Sequence, residues 1–266
     1  MSDHAIPALS TLRIEHIAGE PVARLLLDRP ERLNALSAAL LAELIQACAW
    51  VDAREEVKVL VVTGSGPHFS AGFDLDDFRG LDSTSTDRRA TADLGRRAAE
   101  ALTDVRALTI AAVRGHCVGG GLVLVAACDL RLAAEGTRFA IPEVDLGIPL
   151  AWGGIPRLVR EIGPARTKEL VLSCRPFDAA EAASIGMVNR VVPDSVFESE
   201  VATWAAELAA KPMFAIRATK SQVNAVMEEI AGTGRNANDA DTLLAALADP
   251  ESRQASRDYL AARGRG

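Results

Sequence analysis

The sequence predicts a mixed α/β fold, and three observations support it. Apolar runs of strand length alternate with helix-length amphipathic stretches through the first 200 residues or so. Two of those runs feed directly into glycine-rich loops, Gly64-Ser-Gly-Pro-His-Phe-Ser-Ala-Gly72 and Gly115-His-Cys-Val-Gly-Gly-Gly121. Beyond about residue 200 only helical patterns remain, which divides the chain into an α/β core (1–200) and a helical region (201–266) whose many alanines and leucines suit a packing surface, including one between subunits.

Residues 12–17 alternate apolar and polar as a half-buried strand does, Gly19-Glu-Pro21 turns the chain, and residues 22–27 form the hairpin partner. Ser37 caps a helix in which Leu40, Leu41, Leu44, Ile45 and Cys48 make one apolar stripe. Residues 58–63 are a buried strand running into the first glycine loop. Residues 81–93, rich in Ser, Thr and Asp, read as a mobile loop, and a helix over 94–108 leads to the strand at 109–113. A dense apolar helix over 122–128 follows the second glycine loop and stops at Asp129. Short strands are expected at 130–133 and 138–140, an irregular connection at 141–150, and a helix at 165–173 after Gly163-Pro164. Asp178 and Glu181 form a capping box on a helix that Gly186 ends, and 188–192 is a last strand. Helices then follow one another, broken at Lys211-Pro212, residues 232–234 and Asp249-Pro250. The order implies repeated ββα-like units with crossovers.

Composition narrows the function. The chain has 266 residues, 49% apolar and 24% charged, with a net charge of −7. It has no basic cluster of the kind that nucleic acid needs. The run at 117–128 is too short to span a bilayer, and Asp3 and Glu15 argue against a signal peptide. Cys48, Cys117, Cys128 and Cys174 are scattered in apolar settings without a CxxC pair, which points to buried free thiols in a reducing cytoplasm rather than to disulfides or a metal site.

The glycine loops carry the chemistry. Glycines at a helix entrance bare backbone N–H groups where the helix dipole adds positive potential, a place for a phosphate or for a developing oxyanion. The first loop lacks the GxGxxG spacing and distal acid of a dinucleotide fingerprint, and neither loop has the Gly-Lys-Ser/Thr of a P-loop. Both could be tight turns only. Two loops that each follow a buried strand and each end in glycines could instead converge two N–H donors on one carbonyl oxygen, as enolate chemistry requires.

Longer motifs add a resemblance. Asp28-Arg-Pro-Glu-Arg-Leu-Asn-Ala-Leu36, Phe69-Ser-Ala-Gly-Phe-Asp-Leu75, the second glycine loop with Ala127-Cys-Asp129, Phe139-Ala-Ile-Pro-Glu143 with Leu146-Gly147, and residues 253–263 resemble, in order, segments of the crotonase (enoyl-CoA hydratase/isomerase) family. The resemblance runs the length of the chain. It implies the crotonase-like spiral of ββα units with a helical C-terminal region, and a homotrimer or dimer of trimers. It also implies an acyl-CoA thioester as substrate, with no separate cofactor and no metal.

The resemblance places an enolate oxygen between the backbone N–H groups of Phe73 and Gly120. Coenzyme A would lie along Glu31, Arg32, Leu33 and Ala71, and Tyr259 would stand near it; the lysine that the family carries shortly afterwards is replaced by Ala262. Arg32 reads equally as a plain surface arginine, and Asp74 reads first as a loop or helix cap beside the same site. Gly119 belongs to the oxyanion loop. Leu150 and Trp152 would line the acyl pocket, Trp152 where some relatives carry an extra acid.

The family's hydratases use two glutamates on one water. One is expected at Glu143. The other would stand where this chain has Val123, which cannot move a proton. A lone Glu143 beside an enolate fits transfer of a proton from one carbon to another, the 3-enoyl to 2-enoyl shift of an enoyl-CoA isomerase. For that work it needs an apolar setting, which Ile141, Val144, Leu146 and Ile148 could supply. Asp145 or His116 could replace the missing acid in a hydratase, although His116 reads first as a loop residue. An acyl-CoA-binding protein without catalysis, or a structural module without ligand, are the readings of other classes.

Overall fold

The computed structural model describes residues 6–80 and 88–262. A hairpin, β1 (Leu12–Glu15) with β2 (Val22–Leu27), opens the chain. Helix α1 (Ala38–Asp52) starts at Ser37, whose hydroxyl accepts from Leu40 N at 3.2 Å, and leads to β3 (Val59–Gly64). Helices α2 (Leu75–Gly80) and α3 (Arg88–Asp104) precede β4 (Leu108–Val113). Then come β5 (His116–Val118), α4 (Gly120–Ala127), β6 (Leu130–Ala134) and β7 (Arg138–Ala140). Helix α5 (Gly154–Ser173), β8 (Phe177–Asp178), α6 (Ala179–Ser184) and β9 (Arg190–Val192) complete the strand-bearing part. Four helices end the described chain: α7 (Phe197–Ala209), α8 (Met213–Ala231), α9 (Asp239–Ala248) and α10 (Pro250–Ala262).

Nine strands among the described residues form two sheets. The larger has the order β1-β2-β3-β4-β6-β9 and is parallel beyond its first pair; the smaller is β5-β7-β8. Both faces of the large sheet are covered, so its central strands are continuous apolar runs. Leu60, Val62, Ala111 and Val113 face the main core with α1, α3 and α4. Val59, Val61, Ile110 and Ala112 face Phe197, Val201 and Trp204 of α7. The compositional shift near residue 200 therefore falls inside a helix that covers the sheet.

The expected order holds, with α6 capped by Asp178 at 2.8 Å from Glu181 N. Four local expectations are corrected. Residues 88–93 are helix, not loop, because Ala92 packs under Ala240, Leu243 and Leu247 of α9; residues 81–87 lie outside the described residues, as do Asp3 and Arg263. The helix ends at Asp104 because Leu108 pairs with Val59 in the sheet. Helix α5 begins at Gly154 and bends at Gly163 (φ +75°), where only its second half was expected. Finally, 116–118 is a strand paired with β7. The four cysteines are buried and unbridged.

Candidate active site

The site begins with the way three loops are tied together. Leu33 and Asn34 both adopt left-handed backbone (φ +51° and +53°) after a turn of 3-10 helix at Pro30–Arg32. The buried Asn34 side chain donates to Ser65 O and His68 O at 2.9 and 2.8 Å, locking this turn to the first glycine loop. Ala71 N donates to Leu33 O and Leu36 N to Gly72 O. On its other side the loop bonds to the second glycine segment through Phe69 N to Arg114 O, Ser70 N to His116 O and Val118 N to Ser70 O. The two loops are thus adjacent strands of backbone.

This brings the two expected donors side by side. Gly72 (φ +93°) approaches so closely that a Cβ there would lie 2.9 Å from Val118 O and 3.9 Å from Gly120 N. Phe73 is the next residue. Gly120 is the first residue of α4, so its N–H points out of the helix end with no acceptor in its own turn. All eight residues of α4 are buried, so the helix end is fixed in the core.

Glu143 reaches this point through the small sheet. Val118 pairs with Ala140, and Gly119 N donates to Ala140 O at 2.9 Å. The carboxyl then lies over Gly119 (φ +50°), where a Cβ would stand 2.3 Å from Glu143 Oε1. Glu143 Oε2 is shielded from solvent and has no hydrogen-bond partner among the described residues. Burial pushes this carboxyl up to about 7.

Two cavities meet here. A groove of about 1130 Å³ runs from Arg32, Leu33, Ala71 and Asp74 past Phe73 and Gly119 to Glu143, with Tyr259 of α10 on its wall. An apolar pocket of about 40 Å³ continues inward; Gly120, Val123, Leu150, Trp152 and Leu243 line it. Phe73, Glu143 and Ile148 border both. Glu143 is the one titratable side chain lining the inner pocket among the described residues.

The remaining expected residues separate. Asp74 is a cap and an ion-pair centre: Arg29 donates to it at 2.8 Å, Arg32 at 3.3 Å, and its Oδ1 accepts from Asp76 N. Burial alone would raise its carboxyl, but the hydrogen bonds from Arg29 and Asp76 N and the charges of Arg29 and Arg32 hold it below the usual range. Arg32 also pairs with Asp76. His116 lines neither cavity: its ring lies tilted against His68 with centroids 4.6 Å apart, and its backbone N–H donates to His68 Nδ1. Its alternation within β5 turns the side chain outward, so a role as the second acid is not supported by its position. Asp145 borders the outer groove but not the inner pocket, and is exposed.

Several contributors carried no usable signal in the sequence. Leu243 reaches the pocket from α9 only through tertiary packing. Ile148 and Pro149 lie in the irregular run at 141–150, and Ala151 just beyond it. Gly95, in the polar-looking α3, makes room for Trp152: a Cβ there would stand 2.0 Å from the indole. No described helix is long and apolar enough to cross a membrane.

Comparison with known proteins identifies a family. The sequence profile of enoyl-CoA hydratase/isomerase matches residues 18–263. The chain is 36% identical over 211 residues to a probable enoyl-CoA hydratase of Mycobacterium tuberculosis, covering 78% of this chain and 79% of that one. It is 35% identical to a peroxisomal Δ(3,5)-Δ(2,4)-dienoyl-CoA isomerase of Arabidopsis thaliana, covering 75% and 76%. A crystal structure of an enoyl-CoA hydratase/isomerase from Xanthobacter autotrophicus superposes with a TM-score of 0.87 at 30% identity, covering 97% of this chain and 95% of that one.

Proposed function

We propose that this chain, which belongs to the enoyl-CoA hydratase/isomerase family, is an enoyl-CoA isomerase that moves a double bond from the 3 to the 2 position with Glu143 as its acid/base group. One observation carries the reading. The inner pocket holds a single carboxyl, Glu143, and presents the buried Val123 from α4, where a hydratase of this family would have its other acid.

In this mechanism coenzyme A lies in the outer groove along Arg32, Leu33 and Ala71, with Tyr259 also lining it. The thioester carbonyl accepts from Phe73 N–H and Gly120 N–H. The Glu143 carboxylate takes a proton from carbon 2, and the electron pair moves into a dienolate whose oxygen the two N–H groups stabilise. The same carboxyl then returns the proton to carbon 4, which leaves a 2-enoyl thioester and regenerates the carboxylate. No atom is gained or lost. A carboxyl near neutrality serves both halves of such a transfer. Each oxyanion donor of this kind contributes a factor of roughly 10²–10³ to the rate.

The test is Glu143→Gln with a 3-enoyl-CoA: double-bond migration is lost while acyl-CoA affinity survives. Turnover retained in that variant ends the proposal. A hydratase is the second reading, favoured by the hydratase names of several relatives. Hydration of crotonyl-CoA at an appreciable rate, followed by absorbance, would support it and demand another acid. Tight acyl-CoA binding with neither reaction would point to a binding protein. The same proposal has the chain assemble as a trimer or dimer of trimers. The exposed apolar residues Phe214, Val223, Val226 and Ile230 of α8 support that assembly, which light scattering tests.

A further inference from the structure

The inner pocket is small, and one residue makes it so. Trp152 lines it with left-handed backbone (φ +62°), followed by Gly153 (φ +69°). Its indole lies against a glycine of each of two helices, Gly95 of α3 and Gly120 of α4. A Cβ on Gly95 of α3 would come within 2.0 Å of the ring, and one on Gly120 of α4 within 2.4 Å. Phe73 meets the ring edge-on with centroids 5.4 Å apart. The indole is therefore wedged with no room to swing aside toward either helix. A glycine inside α3 costs helix stability relative to alanine, and the space it leaves is filled by this ring.

The backbone that carries the indole is also clamped. The buried Arg157 donates to Trp152 O and Gly153 O at 3.4 and 3.2 Å, and Gly153 N donates to Asp239 Oδ2 at 2.7 Å. Arg157 is a positioning residue: it touches neither cavity. Asp239 fixes the start of α9, the helix that sends Leu243 into the same pocket.

We propose that Trp152 sets a short upper limit on acyl length, so that the substrate class is the enoyl thioesters of about four carbons rather than medium or long chains. The volume supports this. A site needs at least roughly 10–15 Å³ to hold one water-sized group, so the pocket of about 40 Å³ has room for only a few. With carbon 1 at the oxyanion donors, those few are the first carbons of the acyl chain. A longer tail meets the indole, Leu150 and Leu243. This inference rests on the acyl-CoA reading of the site given above.

The experiment separates the two by using binding rather than turnover. Calorimetry with butyryl-, hexanoyl-, octanoyl- and dodecanoyl-CoA is carried out on the wild type, Trp152→Ala and Trp152→Leu, each first checked by circular dichroism and thermal melting. In the wild type, affinity is greatest at butyryl-CoA, and octanoyl-CoA binds at least tenfold more weakly. In Trp152→Ala octanoyl-CoA gains at least tenfold, with Trp152→Leu between, since each newly buried methylene adds up to about fourfold. A wild-type affinity that keeps rising from butyryl- to dodecanoyl-CoA overturns the length limit, and does so even if neither variant folds. The limit also fails if octanoyl-CoA binds the wild type and Trp152→Ala equally, because the tail then runs along the outer groove. A wild type that binds none of the four overturns the acyl-CoA reading itself.

Discussion

Two of the carboxyl groups that border the groove have been built for opposite purposes. Asp74 stands at the outer end among Arg29, Arg32 and the Asp76 N–H, and is held below the usual carboxylate range. Glu143 stands at the inner end with an unpartnered oxygen, and burial lifts it to about 7. Desolvation pushes both upward; partners decide the outcome. A carboxylate with three donors is pinned in its charged form and serves as structure. One whose only donor is its own backbone N–H, beside a site for a developing enolate, can take up and release a proton near neutral pH.

Removing Glu143's proton chemistry should have the largest effect. Glu143→Gln is expected to lower isomerisation by roughly 10²–10⁴-fold, the usual weight of a positioned acid/base group, with acyl-CoA affinity changed only severalfold. The wild-type rate should rise with pH as the carboxylate forms, with a midpoint near 7; a flat profile between pH 5 and 9 would break the assignment. Stability gives an activity-independent check. The folded value lies above that of the unfolded chain, so this group's stabilising contribution is full below about pH 4.3 and is lost as pH rises through about 7. The wild type should therefore lose up to about 3 kcal/mol from this source across that window. The melting temperature of Glu143→Gln relative to wild type should climb between pH 4.5 and 8. No such climb would mean that Glu143 is hydrated in the folded protein.

These contrasts also show what the sequence could and could not reveal. The glycine loops were legible as local patterns, and Glu143 and Val123 through the family resemblance of the segments that carry them; Gly120, Val123 and Glu143 line one pocket. Trp152 was legible as a pocket residue, but not as a ring wedged against Gly95, since nothing in Leu94-Gly-Arg-Arg-Ala-Ala marks that glycine as a socket. Asp74 read locally as a cap, which it is, but Arg29 is its closest partner from 45 positions away in sequence. His116 was attractive next to the glycines, and strand alternation takes it to the far side to lie tilted against His68. Helical residues 88–93 were hidden because polar composition was outvoted by packing against α9. What escaped the sequence depends on contacts between distant segments.

At the paired end of the groove the expected losses concern stability. Asp74→Asn removes the counter-charge of a half-buried and a more exposed arginine and should cost roughly 1–3 kcal/mol at pH 7 by chemical denaturation. Its sign with pH is opposite to that of Glu143. The folded value is depressed, so the contribution is present above the unfolded value near 3.9 and vanishes as pH falls through the folded one. The wild type and Asp74→Asn should converge in acid; a gap that persists at pH 2 would assign the loss to packing instead of charge.

The smallest effect separates the two arginines that hold Asp74. Arg29 is mostly buried and donates both to Asp74 and, at 2.6 Å, to Ala35 O, so it joins the turn at 30–36 to the first glycine loop. Arg32 is about half exposed, at 47% of its side chain, and meets Asp74 at the longer distance of 3.3 Å. An exposed pair of this kind contributes about 0–1 kcal/mol and is screened by salt. Arg32→Ala should therefore melt within a few degrees of wild type, with the difference shrinking at high salt, whereas Arg29→Ala should melt clearly lower at any salt. Because Arg32 lines the outer groove, its loss should also weaken free coenzyme A and every acyl-CoA by the same few-fold factor. A weakening confined to long acyl chains, or a stability loss equal to that of Arg29→Ala, would show that the outer end of the groove is not the solvated, charge-steering half that its exposure implies.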